Sequence, residues 1–173
     1  MAVLIYKHFS RYINMEDLYH LLYPIRTLLI SARYGEKESV MAADWCTPLS
    51  FEPKLFGVAV GKKRFTHSLI VHSKSFAINL VSPEMKEKMI ICGTKSGKDI
   101  DKFRIAGLGK EEGKLTVLVS DSPASIECRV IKEIDVGDHT FFVGEVVNSV
   151  IRRRSSGLYH LKGLDFIEIG PKT

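Results

Sequence analysis

The chain is predicted to be mainly β, an antiparallel closed sheet accompanied by a few short helices. Short apolar segments rich in Val, Ile and Phe recur along most of its 173 residues. Turn residues separate these segments, and no strand alternates regularly with a long helix, as it would in a doubly wound fold. Because a sheet of about seven strands removes its free edges by closing on itself, we expect a barrel.

The N-terminal half holds the first predicted elements. Residues 1–13 show no clear period and are expected to form an arm. A short helix follows, capped by Asn14 and ended by Pro24. Apolar and β-branched composition predicts that the next strands are 27–32, 55–60 and 76–81. A short helix is expected at 66–72, between the last two of these strands.

The C-terminal half begins with helices and ends in strands. Ser82-Pro83-Glu84 is a typical helix start, and Gly93 is the expected end of that helix. A second helix over 100–106 is opened by Asp99 and closed by Gly107. The remaining predicted strands are 115–119, 126–134, 140–151 and 164–169. A turn at 135–138 joins the second of these strands to the third.

Composition limits the classes of function. A chain of this length with 45% apolar residues can bury one core, so a single domain over 1–173 is expected. Three widely spaced cysteines without a Cys-x-x-Cys pair argue against a disulfide framework and a structural zinc site. The histidines form no close pairs, so we expect no protein-bound metal. No signal peptide or membrane-spanning run is recognised, and a cytoplasmic protein is expected.

The most informative part of the chain runs from Ser39 to Asn79. Its apolar strand continues directly into Gly61, three consecutive cations over 62–64, and Thr66 at a predicted helix start. Free helix amides and cations bind phosphate, since Arg can form paired hydrogen bonds and Thr adds a hydroxyl. The preceding segment, expected to be a loop, carries a Trp, a Thr and a Ser. Together these features suggest an aromatic ligand with a phosphate tail.

The same basic run has two other interpretations. A run of cations is often only a solvated turn. With a second basic run at 152–154 and nearby aromatics, residues 62–64 would also suit a basic β-barrel that binds nucleic acid.

Five segments resemble the flavin reductase-like family of FMN-binding split barrels, which includes flavoredoxins and archaeal ferric reductases. The segments are Met41-Ala-Ala-Asp-Trp45-Cys-Thr47, Lys63-Arg64-Phe65-Thr66, Phe76-Ala-Ile-Asn79, Ser96-Gly97-Lys98-Asp99 with Asp101-Lys102-Phe103, and Gly137-Asp138-His139 with Phe142-Val143-Gly144-Glu145-Val146. The resemblance spans about Tyr23 to Gly170. It implies an antiparallel FMN-binding split β-barrel of Greek-key type, FMN as the cofactor, and a homodimer with the flavin near the subunit interface.

The resemblance also implies a set of site residues. The candidates for binding FMN are Ser39, Met41, Trp45, Cys46, Thr47, Ser50, Lys62, Lys63, Arg64, Thr66, Asn79, Lys102 and His139. Several relatives carry Asn at the position of Ser39. Trp45 is alternatively a core or interface aromatic, Cys46 a small core hydrophobe, and Asn79 a cap of the following turn.

Lys102 and His139 are the candidate catalytic residues, since they match family positions that reach the flavin or the substrate cleft. The resemblance implies an oxidoreductase that passes electrons from NAD(P)H or a protein donor to flavin, ferric iron or another acceptor. No Gly-x-Gly-x-x-Gly follows a strand, so a pyridine nucleotide would stack over the flavin instead of occupying a Rossmann fold. A non-enzymatic FMN electron carrier is the alternative on the same fold.

Overall fold

The main element of the fold is a seven-stranded antiparallel sheet. The computed structural model describes residues 15–170, so the predicted arm and the cap at Asn14 lie outside the described residues. In order across the sheet, the strands are β3 (Lys37–Ala43), β2 (Leu28–Tyr34), β6 (Ser75–Leu80), β9 (Ala124–Val136), β10 (His139–Ile151), β5 (Leu55–Gly61) and β4 (Cys46–Ser50).

Two smaller sheets accompany this one. The first contains β1 (Ile25–Arg26), β11 (Gly157–Lys162) and β12 (Asp165–Ile169), in that order. The second pairs β7 (Lys110–Glu112) with β8 (Val117–Val119). All strand pairs in the three sheets are antiparallel, as the sequence predicted.

The helices are short, which also agrees with the prediction. They are α1 (Met15–His20), α2 (Phe65–Ser73), a 3₁₀ turn (Pro83–Met85) continued by α3 (Lys86–Thr94), and α4 (Lys102–Ala106). Two predicted boundaries are wrong. α3 continues through Gly93, its expected end, to Thr94. Asp101, not Asp99, caps α4, because its carboxylate accepts the N–H of Arg104 at 3.1 Å. Gly107 ends α4 as predicted, with a left-handed φ of 62° that favours glycine.

The sequence missed five strands, and two of them form the edges of the main sheet. β3 and β4 occupy most of the segment that was predicted to be a loop. β3 was missed because its first half is polar, and β4 because it contains Pro48. A proline lacks the N–H of a ladder, yet it is tolerated in an edge strand such as β4. The other three missed strands are β1, β7 and β11.

The two edges of the main sheet lie next to each other in space. Only Asp44 and Trp45 separate the end of β3 from the start of β4, so the sheet must curl until its opposite edges meet at this turn. β3 and β4 do not pair with each other within the described residues. The barrel is therefore split along this line, and the predicted fold class is confirmed.

Buried side chains fill both faces of the curled sheet. Ile30, Val58, Phe76 and Phe142 belong to the core inside the barrel. Neighbouring β2 residue Leu29 points to the opposite face, where it joins a second core that includes residues of α3 and α4. This alternation follows from the two-residue period of a strand. It fixes α3 and α4 against the outer face of β3, which forms one wall of the candidate site.

Candidate functional site

The segment that joins β5 to α2 forms the basic end of the site. The carbonyl of Gly61 accepts the N–H of Arg64 at 2.9 Å, which turns the chain from the strand into the helix. Arg64 is the N-cap residue with an extended backbone, and no side-chain hydrogen bond caps the helix among the described residues. The first amides of α2 therefore lack intrahelical partners. A helix start of this kind attracts an anion.

Two of the three cations in this segment line a cavity in front of α2. Lys62 is engaged elsewhere, because its Nζ donates to the carbonyl of Gly137 at 2.7 Å and pairs with Asp135 at 2.5 Å. Lys63 and Arg64 border a cavity of about 370 Å³, which we call the cradle. The other residues that line the cradle are Met41, Phe65, Thr66, Lys102 and the loop 94–97.

Ser39 and Gly97 meet beside the cradle. Ser39 is 1% exposed, and its Oγ has no hydrogen-bond partner. A Cβ added at Gly97 would lie 2.1 Å from that Oγ, so only glycine allows the loop to approach Ser39 so closely. A buried hydroxyl without a partner costs free energy. The arrangement thus leaves a buried, unpartnered polar atom behind Gly97, which itself lines the cradle.

Lys102 is a buried cation at the same end of the site. It is 4% exposed, and its Nζ donates to the carbonyl of Cys92 at 2.7 Å. Burial lowers the pKa of Lys102, and the nearby charge of Arg64 lowers it further. Lys102 therefore joins the cations of the cradle and not the aromatic residues described next.

An aromatic cavity of about 270 Å³ lies next to the cradle. Met41 and Arg64 line both spaces, so the two cavities lie side by side. Trp45 and His139 also line the aromatic cavity, with their ring centroids 5.0 Å apart. The small residues 42–43 of β3 border it as well and leave room for a flat group. The predicted ring-binding residues Met41, Trp45 and His139 are thus brought together.

His139 is oriented by its neighbour in the turn between β9 and β10. Its Nδ1 lies 2.7 Å from Oδ1 of Asp138, and an ionised carboxylate can only accept this bond. The hydrogen bond holds the pKa of Asp138 below its ordinary value. With Nδ1 donating to Asp138, the Nε2 atom is left toward the space beside Gly61. A group bound there can exchange a hydrogen bond with Nε2.

The sequence did not find a partly buried polar cluster beside the aromatic cavity. Asp44 accepts hydrogen bonds from Thr27 Oγ1 at 2.7 Å and from Tyr23 Oη at 3.4 Å, and its Oδ2 lies 2.7 Å from Nδ1 of His160. Burial, followed by the charge of Asp44, raises the pKa of Tyr23 to about 12. Because His160 is far from Asp44 in the chain, no local motif signals this cluster.

Besides Ser39 and Lys62, four predicted residues line neither the cradle nor the aromatic cavity. Asn79 is fully buried, and its amide bonds Ser31, Ser125 and the backbone of Val119, so the predicted role beside the flavin is corrected to a structural one. The other three, Cys46, Thr47 and Ser50, lie on β4 and border neither space.

The β4 residues have different surroundings. Cys46 packs against the inner core, and burial raises the pKa of its thiol to about 12, as in the alternative interpretation of a small hydrophobe. Thr47 is exposed, and its hydroxyl donates to the carbonyl of Pro48. Ser50 borders a separate apolar cavity on the surface of β4 and β5.

The second basic run is largely engaged in contacts within the chain. Arg152 donates to Glu111 and to Ser125 Oγ. Arg153 binds Glu84 and the carbonyl of Asp121. These contacts remove most of the second basic patch that a nucleic-acid-binding barrel would use.

Two further searches cover the described part of the chain. No cluster of three or more His, Cys, Asp or Glu side chains suited to a metal ion occurs within residues 15–170. No helix in the same residues is long and apolar enough to cross a membrane.

Known proteins resemble this chain in sequence. The family model described as flavin reductase like domain matches residues 20–167. An uncharacterized protein of Archaeoglobus fulgidus is 41% identical over 141 residues, which cover 80% of this chain and 77% of that protein. The ferric-chelate reductase (NAD(P)H) of the same organism is 26% identical over 155 residues, which cover 86% of this chain and 89% of the reductase.

The resemblance extends to a solved structure. The FMN-binding protein from Thermus thermophilus, determined with bound p-hydroxybenzaldehyde, is 25% identical and superposes with a TM-score of 0.84. The match covers 95% of this chain and 97% of the Thermus protein. Agreement of the family model, the closely related archaeal sequence and the split-barrel fold confirms the resemblance seen in the five segments. The chain belongs to the flavin reductase-like family.

Proposed function

We propose that the protein is an FMN-binding oxidoreductase that passes electrons from NAD(P)H or a protein donor to flavin, ferric iron or another acceptor. One observation carries the proposal: the uncapped start of α2, bordered by Lys63 and Arg64, lies next to a cavity lined by Trp45 and His139, and Arg64 lines both spaces. Together the two spaces have an anion-binding end and an aromatic end. FMN has the same two ends.

The residues of the cradle fit the phosphate end of FMN. A phosphate dianion would complement the free amides of α2 and accept hydrogen bonds from Lys63 and Arg64. Thr66 adds a hydroxyl to the first turn of the helix. Ser39 does not line the cradle, and its buried Oγ lies behind Gly97.

The residues of the aromatic cavity fit the flavin ring. Residues 42–43 let a flat ring approach β3, while Met41 and Trp45 provide apolar contact. FMN supplies a ring that accepts and releases electrons when it is bound. His139 would hold a hydrogen bond to the ring or to the acceptor, because Asp138 fixes its orientation through Nδ1.

NAD(P)H is the proposed donor of choice. The sequence offers no Rossmann fingerprint, so a nicotinamide would stack on the open side of the ring. The name of the ferric-chelate reductase (NAD(P)H) relative supports this donor. A non-enzymatic electron carrier is the second candidate, and the 41% exposure of Trp45 at the cavity mouth favours it, since a partner protein could approach there.

We also propose that the protein is a homodimer. An apolar cavity of about 540 Å³ lies on β4 and β5, lined by residues that include Leu49, Phe56 and Val146. Phe51 borders this cavity and is 96% exposed. A large exposed aromatic beside an apolar groove is complementary to the same surface of a two-fold-related copy.

Purification tests the cofactor and the donor together. The protein should be yellow or become yellow with FMN, with about one FMN per chain. Reduction by NADH and NADPH is then followed at the flavin absorbance, with free FMN and a ferric chelate as acceptors. Steady turnover supports the enzyme, whereas turnover only after addition of a redox protein supports the carrier. A colourless protein that does not bind FMN would refute both.

Sedimentation tests the dimer. The wild type should sediment as a dimer, and Phe51→Ser should shift it toward monomer. A monomeric wild type would contradict the dimer, and a Phe51→Ser variant that stays dimeric would contradict the role of this surface.

A further inference from the structure

The side chain of His160 connects two turns of the fold. His160 lies on β11, and its side chain is only 17% exposed. Its Nδ1 is 2.7 Å from Oδ2 of Asp44, in the turn between β3 and β4. Its Nε2 is 2.9 Å from the carbonyl oxygen of Gly163, in the turn between β11 and β12. Each ring nitrogen therefore has its own oxygen partner.

Both partners of His160 are hydrogen-bond acceptors. A carbonyl oxygen has no proton to donate, and an ionised carboxylate can only accept. Thr27 Oγ1 already donates to the other oxygen of Asp44 at 2.7 Å. A neutral imidazole donates from one nitrogen only, so neither neutral tautomer satisfies both contacts. The two contacts are both hydrogen bonds only when the ring carries two protons and a positive charge.

Aromatic rings pack around this imidazole. Phe166 stacks on it, with the ring centroids 4.7 Å apart and 20° between the planes, and the ring of Tyr23 is 5.2 Å away. Aromatic faces attract a cation, so these contacts stabilise the protonated ring. The ionisable groups that face this region from other elements are Asp44, Tyr23, His20, Arg64 and Lys86. Of these, Asp44 is the acid that pairs with His160.

Two routes connect His160 with Trp45 in the wall of the aromatic cavity. The first runs along the chain, because Asp44 directly precedes Trp45. The second is a row of rings. Tyr23 packs against His160, and the ring of Tyr19 lies 6.0 Å from that of Tyr23 and 5.7 Å from that of Trp45. A shift of the turn at Asp44 would therefore move Trp45.

We propose that His160 is a positioning residue of the flavin site, which as an imidazolium ties the Asp44 turn to the Gly163 turn and so holds Trp45 in place. The inference rests on the proposed function, which assigns the flavin ring to the aromatic cavity. His160 and Asp44 also line a second cavity of about 330 Å³, so close packing does not fix them on every side.

The proposal gives the ring end of the site a defined pH dependence. When the imidazolium loses a proton, one of its nitrogens no longer donates, and the link between the two turns opens. The link is therefore complete at low pH and is lost as the pH rises through the titration of His160. Binding of the flavin ring should weaken in the same direction.

Nitrogen-15 spectra of the flavin-free wild type test the protonation of His160. Its signals are assigned through the contacts of the ring with Phe166. At about pH 6 both ring nitrogens should be protonated, and their protons should exchange slowly with water because both are hydrogen-bonded. A single protonated nitrogen, or fast exchange of either proton, would refute the proposal.

The positioning role is tested with His160→Gln, which cannot carry the charge. At about pH 6 the variant should bind FMN and riboflavin about five- to tenfold more weakly than the wild type, by the same factor for both, because the ring end is affected. Raising the pH should weaken wild-type binding by a factor that the variant does not show. Other groups of the cavity titrate in both proteins, so the difference between the two pH profiles reports His160.

Trp45 provides a measurement that needs no flavin. It is the only tryptophan of the chain, so acrylamide quenching of the protein's tryptophan fluorescence reports its surroundings. Quenching should be stronger in His160→Gln than in the wild type. His72→Gln is the matched control, since His72 is an exposed histidine of α2 that lines neither cavity, and it should behave like the wild type throughout.

Several further results would overturn the proposal. Identical pH profiles, unchanged quenching of Trp45, or a larger loss for FMN than for riboflavin in His160→Gln would each do so. If the variant does not fold, the wild type decides, because its flavin affinity must fall with the same midpoint as the His160 nitrogen signals. A wild type that binds no flavin would refute the proposed function itself, while the nitrogen spectra and the quenching would still test the link between the turns.

Discussion

Replacing Arg64 by Ala tests whether this residue binds the phosphate of the proposed flavin or its ring. Arg64 is the N-cap of α2 and lines both the cradle and the aromatic cavity. Its Nη1 also donates to the carbonyl of Gly93 at 3.1 Å. The substitution removes a cation from the phosphate site without changing the amides of the helix.

The expected loss follows from the strength of a hydrogen bond between charged groups. One such bond contributes about 1.5–3 kcal/mol, which corresponds to about 10- to 150-fold in the dissociation constant. The lower half of this range is expected for Arg64, because its side chain is exposed and water screens the charge. Riboflavin lacks the phosphate, so its affinity should fall by less than about threefold.

Quenching of flavin fluorescence measures both affinities on the same preparations. Arg154→Ala is the matched control, since Arg154 is an exposed arginine outside the cradle. The control should bind both flavins like the wild type. A salt titration adds an independent check, because the FMN preference should weaken as the ionic strength rises.

The assignment of the phosphate would be refuted by equal losses for FMN and riboflavin in Arg64→Ala. That result would mean that the arginine acts on the ring or on the loop at Gly93. An FMN affinity equal to that of the wild type would mean that the phosphate lies elsewhere.

Three further predictions concern buried groups. Lys102→Met should lower the affinity for FMN more than the affinity for riboflavin, because Lys102 borders the cradle. If FMN instead stays bound and a redox titration shows a lowered reduction potential, Lys102 has the catalytic role expected from the resemblance. The native protein should show no fast labelling by a thiol reagent at pH 8. Burial raises the pKa of Cys46 and Cys128 to about 12 and that of Cys92 to about 11, so these thiols stay protonated at that pH. Rapid labelling of one thiol per chain before denaturation would contradict this. Glu127→Gln should lower the free energy of unfolding by about 1–3 kcal/mol in urea titrations, because the buried carboxylate accepts the amides of residues 114–116, and an unchanged midpoint would contradict it.

Local features of the chain were sufficient to predict the phosphate end of the candidate site. The end of β5, Gly61, the cations at 62–64 and the start of α2 follow one another without interruption. Strand, turn and helix start are each determined by neighbouring residues, so the order of the sequence is also their order in space. The short helices and most core strands were predicted for the same reason. That 1–173 form one domain stays a prediction.

Other parts of the site depend on contacts between distant segments. Trp45 meets His139 because β4 and β10 both pair with β5 in the curled sheet, and Ser39 meets Gly97 because α3 packs on β3. Asn79 shows the converse case. Its place in the family-like segment suggested a ligand contact, whereas its side-chain amide forms hydrogen bonds with three neighbouring strands, β2, β8 and β9.

The sequence by itself therefore determined the fold class, the family and the basic segment at the start of α2. Only the tertiary structure decided which polar side chains face the cavities and which form hydrogen bonds in the interior of the fold. The physical reason is that hydrophobic periodicity and turn residues act over a few neighbours, while hydrogen-bond partners such as Asp44 and His160 are chosen by strand register across 116 positions of the chain.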